Sequence, residues 1–146
     1  MLPDSPTAST EPSDLGRIEE LFTAWIDALA EGKYDQVARL HAPYGVFQRP
    51  GRKGARGRDA IRRACSGWLS GAVPSLTLFE TRLFEPAEVA TANGRFTIEF
   101  PAGRRKSEQA RGRLLLVAEK SDGRWGLRYS GLFSDAFLRE LDARVT

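Results

Sequence analysis

From residue 15 to residue 29, apolar side chains return every three or four positions: Leu15, Ile18, Leu21, Phe22, Trp25, Ile26 and Leu29. That spacing gives an α-helix one apolar stripe. Ser13 or Asp14 is placed to cap its first turn, and Gly32 to end it in left-handed backbone. A second, shorter helix is predicted over Tyr34 to Leu40, with Val37 and Leu40 inward, and Pro43 prevents its continuation. "YGVFQR" then reads as a strand and "PGRKGARG" as a wide turn. Ile61, Cys65, Trp68 and Leu69 restore the helical period, which ends at Gly71.

Beyond Pro74 the helical period is lost. "SLTLFETRLFE", "EVATANGRFTIEF", "SEQARGRLLLVAEK" and "GRWGLRYSGLF" are rich in β-formers and separated by "PA", "PAGRRK" and "SDG", which predicts an antiparallel meander. Asn93-Gly94 is read as a glycine bulge that bends one long strand rather than as a hairpin turn. "DAFLRELDARV" is expected to close the chain as a helix. Helices first and strands afterwards make an α+β fold, with the helices on one face of a sheet. "RLLLVA" does not alternate and "LTLF" does so poorly, so the sheet's second face also needs cover. Sheet-to-sheet homodimerisation is the simplest cover.

Composition narrows the class. The chain of 146 residues, 41% hydrophobic and 28% charged, suits one domain, residues 14–146, behind a Pro-, Ser- and Thr-rich leader, residues 1–13, read as disordered. No run approaches the roughly 18–20 apolar residues of a membrane helix, and the N-terminus lacks a signal-peptide pattern. Cys65 is the single cysteine, which fits a reducing cytoplasm. With one histidine and one cysteine, no metal site is expected, and no cofactor is implied.

With these elements placed, "LFTAWIDALAEGKYDQVARLHAPYGVFQRPG", "GRDAIRRA" and "GRLLLVAEKSDGRWGL" resemble the nuclear transport factor 2-like superfamily, nearest its SnoaL-like and ketosteroid-isomerase-like proteins. The resemblance spans about residues 15–134. It implies a cone-shaped, curved antiparallel sheet wrapped round the N-terminal helices, the cystatin-like arrangement, with an apolar pocket inside. Members include isomerases, dehydratases, hydrolases, cyclases and purely associating domains, so fold alone does not give activity. In ketosteroid isomerase the base precedes a proline at the end of the first strand. Arg49 stands there in this chain and cannot abstract a proton. Tyr44 replaces the acid often found after "AP", and Phe22 and Trp25 stand where the isomerase carries its tyrosine donor.

These departures favour a protein that binds a small, mainly apolar molecule without ketosteroid-isomerase chemistry. Phe22, Trp25, Tyr44, Arg49, Trp68, Arg82, Arg113 and Tyr129 are the expected ligand-binding residues. The alternative is an isomerase, cyclase or hydrolase-type enzyme in which Glu80 or Glu99, desolvated in the pocket, serves as acid or base, with His41 as a further candidate. The bland readings are a cross-strand Glu–Arg pair for the glutamates, a helix-end hydrogen bond for His41 and a small core hydrophobe for Cys65.

Charge raises a third reading. Residues 1–44 hold eight acids and three bases, whereas residues 45–64 hold seven bases (Arg49, Arg52, Lys53, Arg56, Arg58, Arg62 and Arg63) and one acid, Asp59. "GRRK", residues 103–106, adds a second basic turn. Neither segment has phosphate-loop spacing or interleaved aromatics. An anion- or nucleic-acid-binding module is therefore the minor alternative, and a solvated loop the preferred reading.

Overall fold

The computed structural model describes residues 13–84, 88–101, 109–136, 138, 139 and 143. The expected leader, except Ser13, and the "GRRK" turn lie outside these residues. The described positions of the expected closing segment, Asp135, Ala136, Leu138, Arg139 and Ala143, are helical.

Helix α1 spans Asp14–Ala30 and α2 spans Tyr34–Arg39. Ser13 caps α1, its hydroxyl accepting from the Gly16 amide at 3.0 Å, and Gly32 adopts φ +74° just past its end. Both punctuation marks act as their chemistry dictates. Strand β1 runs His41–Gln48, three residues earlier than expected, because the chain extends through Pro43. Proline is tolerated there because the edge strand β2, Ala55–Arg56, pairs only with Phe47 and Val46 and leaves that part of β1 unpaired on one side. Helix α3, Arg58–Leu69, follows. Strands β3 (Val73–Phe84), β4 (Val89–Glu99), β5 (Gln109–Ser121) and β6 (Arg124–Ser134) form the meander.

The six strands make one curved sheet in the order β2-β1-β6-β5-β4-β3. The meander strands pair antiparallel, as expected, while β1 runs parallel to β6. Parallel neighbours need a crossover. Here α3 carries the chain to the far edge, and the meander returns from there.

One layer of side chains joins the sheet to the helices. Ile18, Phe22, Trp25 and Leu29 from α1, Val37 from α2, and Ile61, Cys65 and Leu69 from α3 are each 0% exposed. They meet Phe47, Ala90, Ala92, Phe96, Ile98, Leu114, Leu116, Ala118 and Leu127 from the inner face of the sheet. Leu15, counted in the helical stripe from sequence, is 43% exposed in the first turn.

Two bulges re-aim the sheet. Phe79 is the extra residue on β3, between the pairs Leu78–Gly94 and Glu80–Asn93. Arg128 is the extra residue on β6, between Tyr129–Val117 and Leu127–Ala118. Asn93-Gly94 therefore lies in one unbroken strand, as expected, while the bulge itself is on its partner. Through "LTLF" the strand alternates, with Leu76 and Leu78 inward and Thr77 and Phe79 outward, Phe79 61% exposed, and the bulge keeps Glu80 on the outer face as well.

Candidate functional site

On the inner side, α1 places Trp25 with its ring 0% exposed. Its indole Nε1 is buried with no hydrogen-bond partner among the described residues. A buried donor left unpaired costs about 1–3 kcal/mol, so the position is held against a penalty. Arg49, just beyond β1, is half-buried, and its charge favours the thiolate of Cys65 on α3. Desolvation outweighs that pull and raises the thiol pKa to about 12, so Cys65 stays protonated and unreactive at neutral pH. Trp68, also half-buried, tilts against Phe47 and Phe100 with ring centroids 6.4 and 6.1 Å away. The structure thus places Phe22, Trp25, Arg49 and Trp68 on the helix side of the sheet.

His41 stands at the other end of β1 and is 1% exposed. Its Nδ1 lies 2.9 Å from the Val37 carbonyl and its Nε2 2.8 Å from Ser130 Oγ. A carbonyl only accepts, so Nδ1 carries the proton and the serine hydroxyl donates to Nε2. Burial, aided by Arg58, lowers its pKa to about 4, against the raising effect of the Val37 hydrogen bond. With both nitrogens engaged, His41 is a structural tie between helix and sheet rather than a free base. Among the described residues, His41 and Ser130 are the only buried polar or charged side chains.

The remaining candidates lie elsewhere. Glu80 and Arg82 face away from the helices and pair with each other at 3.1 Å, both largely exposed. Glu99 follows the inward Ile98 and is exposed. Arg113 lies opposite Arg95 and Phe133 on the outer face. Tyr129, two residues after the inward Leu127, points outward, because the bulge at Arg128 shifts the alternation by one. Its ring covers Gly131, where a Cβ would lie 2.6 Å from it. As inner-pocket residues, Glu80, Glu99, Arg82, Arg113 and Tyr129 are corrected to the opposite face.

Tyr44 belongs to a third place. Its hydroxyl donates to Glu119 at 2.7 Å, which raises its pKa, and Arg128 lies 4.6 Å over its ring. It lines a cleft of about 670 Å³ with Arg39, Arg58, Arg124, Trp125 and others, at the start of β1 and the β5–β6 hairpin. Sequence reading missed this cleft, because its residues come from six elements and no local pattern joins them. The basic turn is partly spent internally. Arg62 and Arg63 pair with Asp59, and Arg62 reaches Asp35 at 3.7 Å. Arg58 donates from Nε to the His41 carbonyl at 2.9 Å. Among the described residues, no group of three or more metal-ligating side chains occurs.

The SnoaL-like domain family model matches residues 18–132. No curated protein matches the sequence. Among solved structures, a ketosteroid isomerase-like protein from Erwinia carotovora atroseptica is 19% identical with a TM-score of 0.72, over 86% of this chain and 98% of its own. A protein described as NTF2-like with a cystatin-like fold, from Novosphingobium aromaticivorans, is 16% identical with a TM-score of 0.71, over 97% and 99%. A Catenulispora acidiphila protein in complex with S-DNPA is 21% identical with a TM-score of 0.63, over 86% and 95%. At such identities the structures speak for fold. With the family model covering most of the domain and the same layering recurring in these structures, the chain belongs to the SnoaL-like family of the nuclear transport factor 2-like superfamily.

Proposed function

We propose that this protein binds a small, mainly apolar molecule on the inner side of its sheet, without ketosteroid-isomerase chemistry. The orphaned indole N–H of Trp25 carries the reading. A ligand oxygen that accepts from it removes a penalty the free protein bears. Arg49 supplies a permanent positive charge near the same interior, where it favours electron-rich ligand atoms and takes no proton. The carboxylates that acid–base chemistry would have used, Glu80 and Glu99, lie on the outer face. The Catenulispora acidiphila complex is a precedent for ligand binding on this fold. No described helix is long and apolar enough to cross a membrane. With a single buried thiol, the reducing cytoplasm is the compartment we assign. The working unit in this reading is a homodimer joined through the outer sheet face.

The test uses a matched pair of bicyclic probes, α-tetralone and tetralin, which differ by one ketone oxygen, with binding followed by tryptophan fluorescence. The ketone is expected to bind about tenfold tighter, the worth of one hydrogen bond to a buried donor. Trp25→Phe should erase the difference while tetralin affinity stays within about twofold. Equal affinities in the wild type, or no saturable binding of either probe, overturn the reading.

A further inference from the structure

The cleft at the opposite end of β1 is independent of that interior. His41 and Arg49 bracket the strand and are separated by roughly 20–25 Å of extended chain. We propose that this cleft is a second ligand site, taking a small organic anion that carries an aromatic ring.

The cleft carries an excess of positive charge. Glu119 lines the cleft but is neutralised locally, by the Tyr44 hydroxyl at 2.7 Å and by Arg128 at 3.6 Å. Asp14, which contacts the lining residue Trp125, is held by Trp125 Nε1 at 2.9 Å and Lys120 Nζ at 3.2 Å. Those contacts, the Trp125 bond first, keep its carboxyl below the usual range. What remains in the lining is three guanidiniums, Arg39, Arg58 and Arg124, against one uncompensated carboxylate, Asp122. None of the three has an ion-pair partner among the described residues. Arg58 is also pre-aimed. Its Nε is occupied by the His41 carbonyl, which fixes the plane and leaves both terminal nitrogens for a bidentate acceptor.

The cleft is also preorganised. The two aromatic residues of the lining are tethered by their polar ends, Trp125 to Asp14 and Tyr44 to Glu119. Their rings are thereby held at the cleft without waiting for a ligand, so little ordering entropy is left to lose on binding. Apolar side chains of Leu21, Leu40 and Pro43 complete the walls. A volume of about 670 Å³ suits a one- or two-ring molecule. Arginine forks for an oxyanion and fixed rings for a planar body together define the ligand class.

The experiment is a titration followed by amide and indole N–H chemical shifts at low ionic strength, with phenyl phosphate, inorganic phosphate and phenol as probes. Phenyl phosphate should saturate and move the Trp125 indole resonance and the amides of Ser121 to Gly126. It should bind at least about tenfold tighter than either inorganic phosphate or phenol, and weaken as salt rises. Arg39→Ala and Arg124→Ala, both at exposed positions, should each weaken it about tenfold, a charge-assisted hydrogen bond apiece, while leaving the melting temperature unchanged. Inorganic phosphate binding as tightly as phenyl phosphate reduces the cleft to a charged surface and overturns the proposal. So do the absence of saturation, or shifts confined to the turn from Arg49 to Arg56.

Discussion

His41 shows how one buried side chain sets a pH window. Its imidazole is stable when neutral, held between an acceptor at Val37 and a donor at Ser130. The folded pKa of about 4 lies below the ordinary 6.5. Between those values the unfolded chain binds the proton and the folded one does not, so stability rises with pH there. The contribution is complete above pH 6.5, falls as pH drops toward 4, and is lost below it. At 1.36 kcal/mol per pKa unit this comes to about 3 kcal/mol. Urea unfolding across that range should show the loss in the wild type and a much flatter profile in His41→Gln. Equal slopes would mean that His41 does not set the window. Asp14 and Asp59, whose carboxyls are lowered by their partners, act only further down in acid. The helix-end role of His41 was legible in its position after α2, but Ser130, 89 residues away, was not. The same holds for Trp25. Periodicity placed it inward, and only the packed structure reveals that its N–H has no partner among the described residues.

Elements were legible where local chemistry sets them, and illegible where pairing does. Ser13, Gly32 and the Ile61-Cys65-Leu69 stripe act within a few residues of themselves, so α1 and α3 emerge from the sequence with their boundaries. Bulges are properties of two strands at once. Neither Phe79 nor Arg128 announces itself alone, yet Arg128 decides that Tyr129 faces out. Gly94 is where the two levels meet. A Cβ there would lie 2.0 Å from the Thr77 carbonyl oxygen of β3, backbone that cannot step aside. Gly94→Ala should therefore force the β3–β4 pair apart at the Phe79 bulge and cost about 1–3 kcal/mol, the range for overpacking a fixed structure. Thermal melts should show the loss. An unchanged melting temperature would mean that the strands part freely at this point.

At the scale of the molecule, the outer sheet face is the feature that a single copy leaves unexplained. Phe79 is 61% exposed and Leu115 37%, beside half-buried Val117, Tyr129 and Phe133. Arg95 lies directly opposite Arg113, with Arg111 next on the same face, a column of like charge that costs stability in isolation. Glu80 and Glu99 sit on the same face, toward β3. A twofold arrangement would present the same patch from each copy, setting carboxylates and arginine columns of the two copies on facing surfaces and burying the apolar centre. A groove of about 290 Å³ beside Phe79, lined by Asn93, Arg95, Arg113 and neighbours, offers a seat for an incoming ring. Sedimentation equilibrium at micromolar concentration should therefore give twice the chain mass. Phe79→Asp, which puts a charge at the apolar centre on a residue that already lies outside the core, should give monomers with unchanged far-ultraviolet dichroism. A wild-type monomer at that concentration, or a dimer untouched by Phe79→Asp, would leave this face without the role assigned to it. In that event the departure of Leu115 and Val117 from polar–apolar alternation would need another cause.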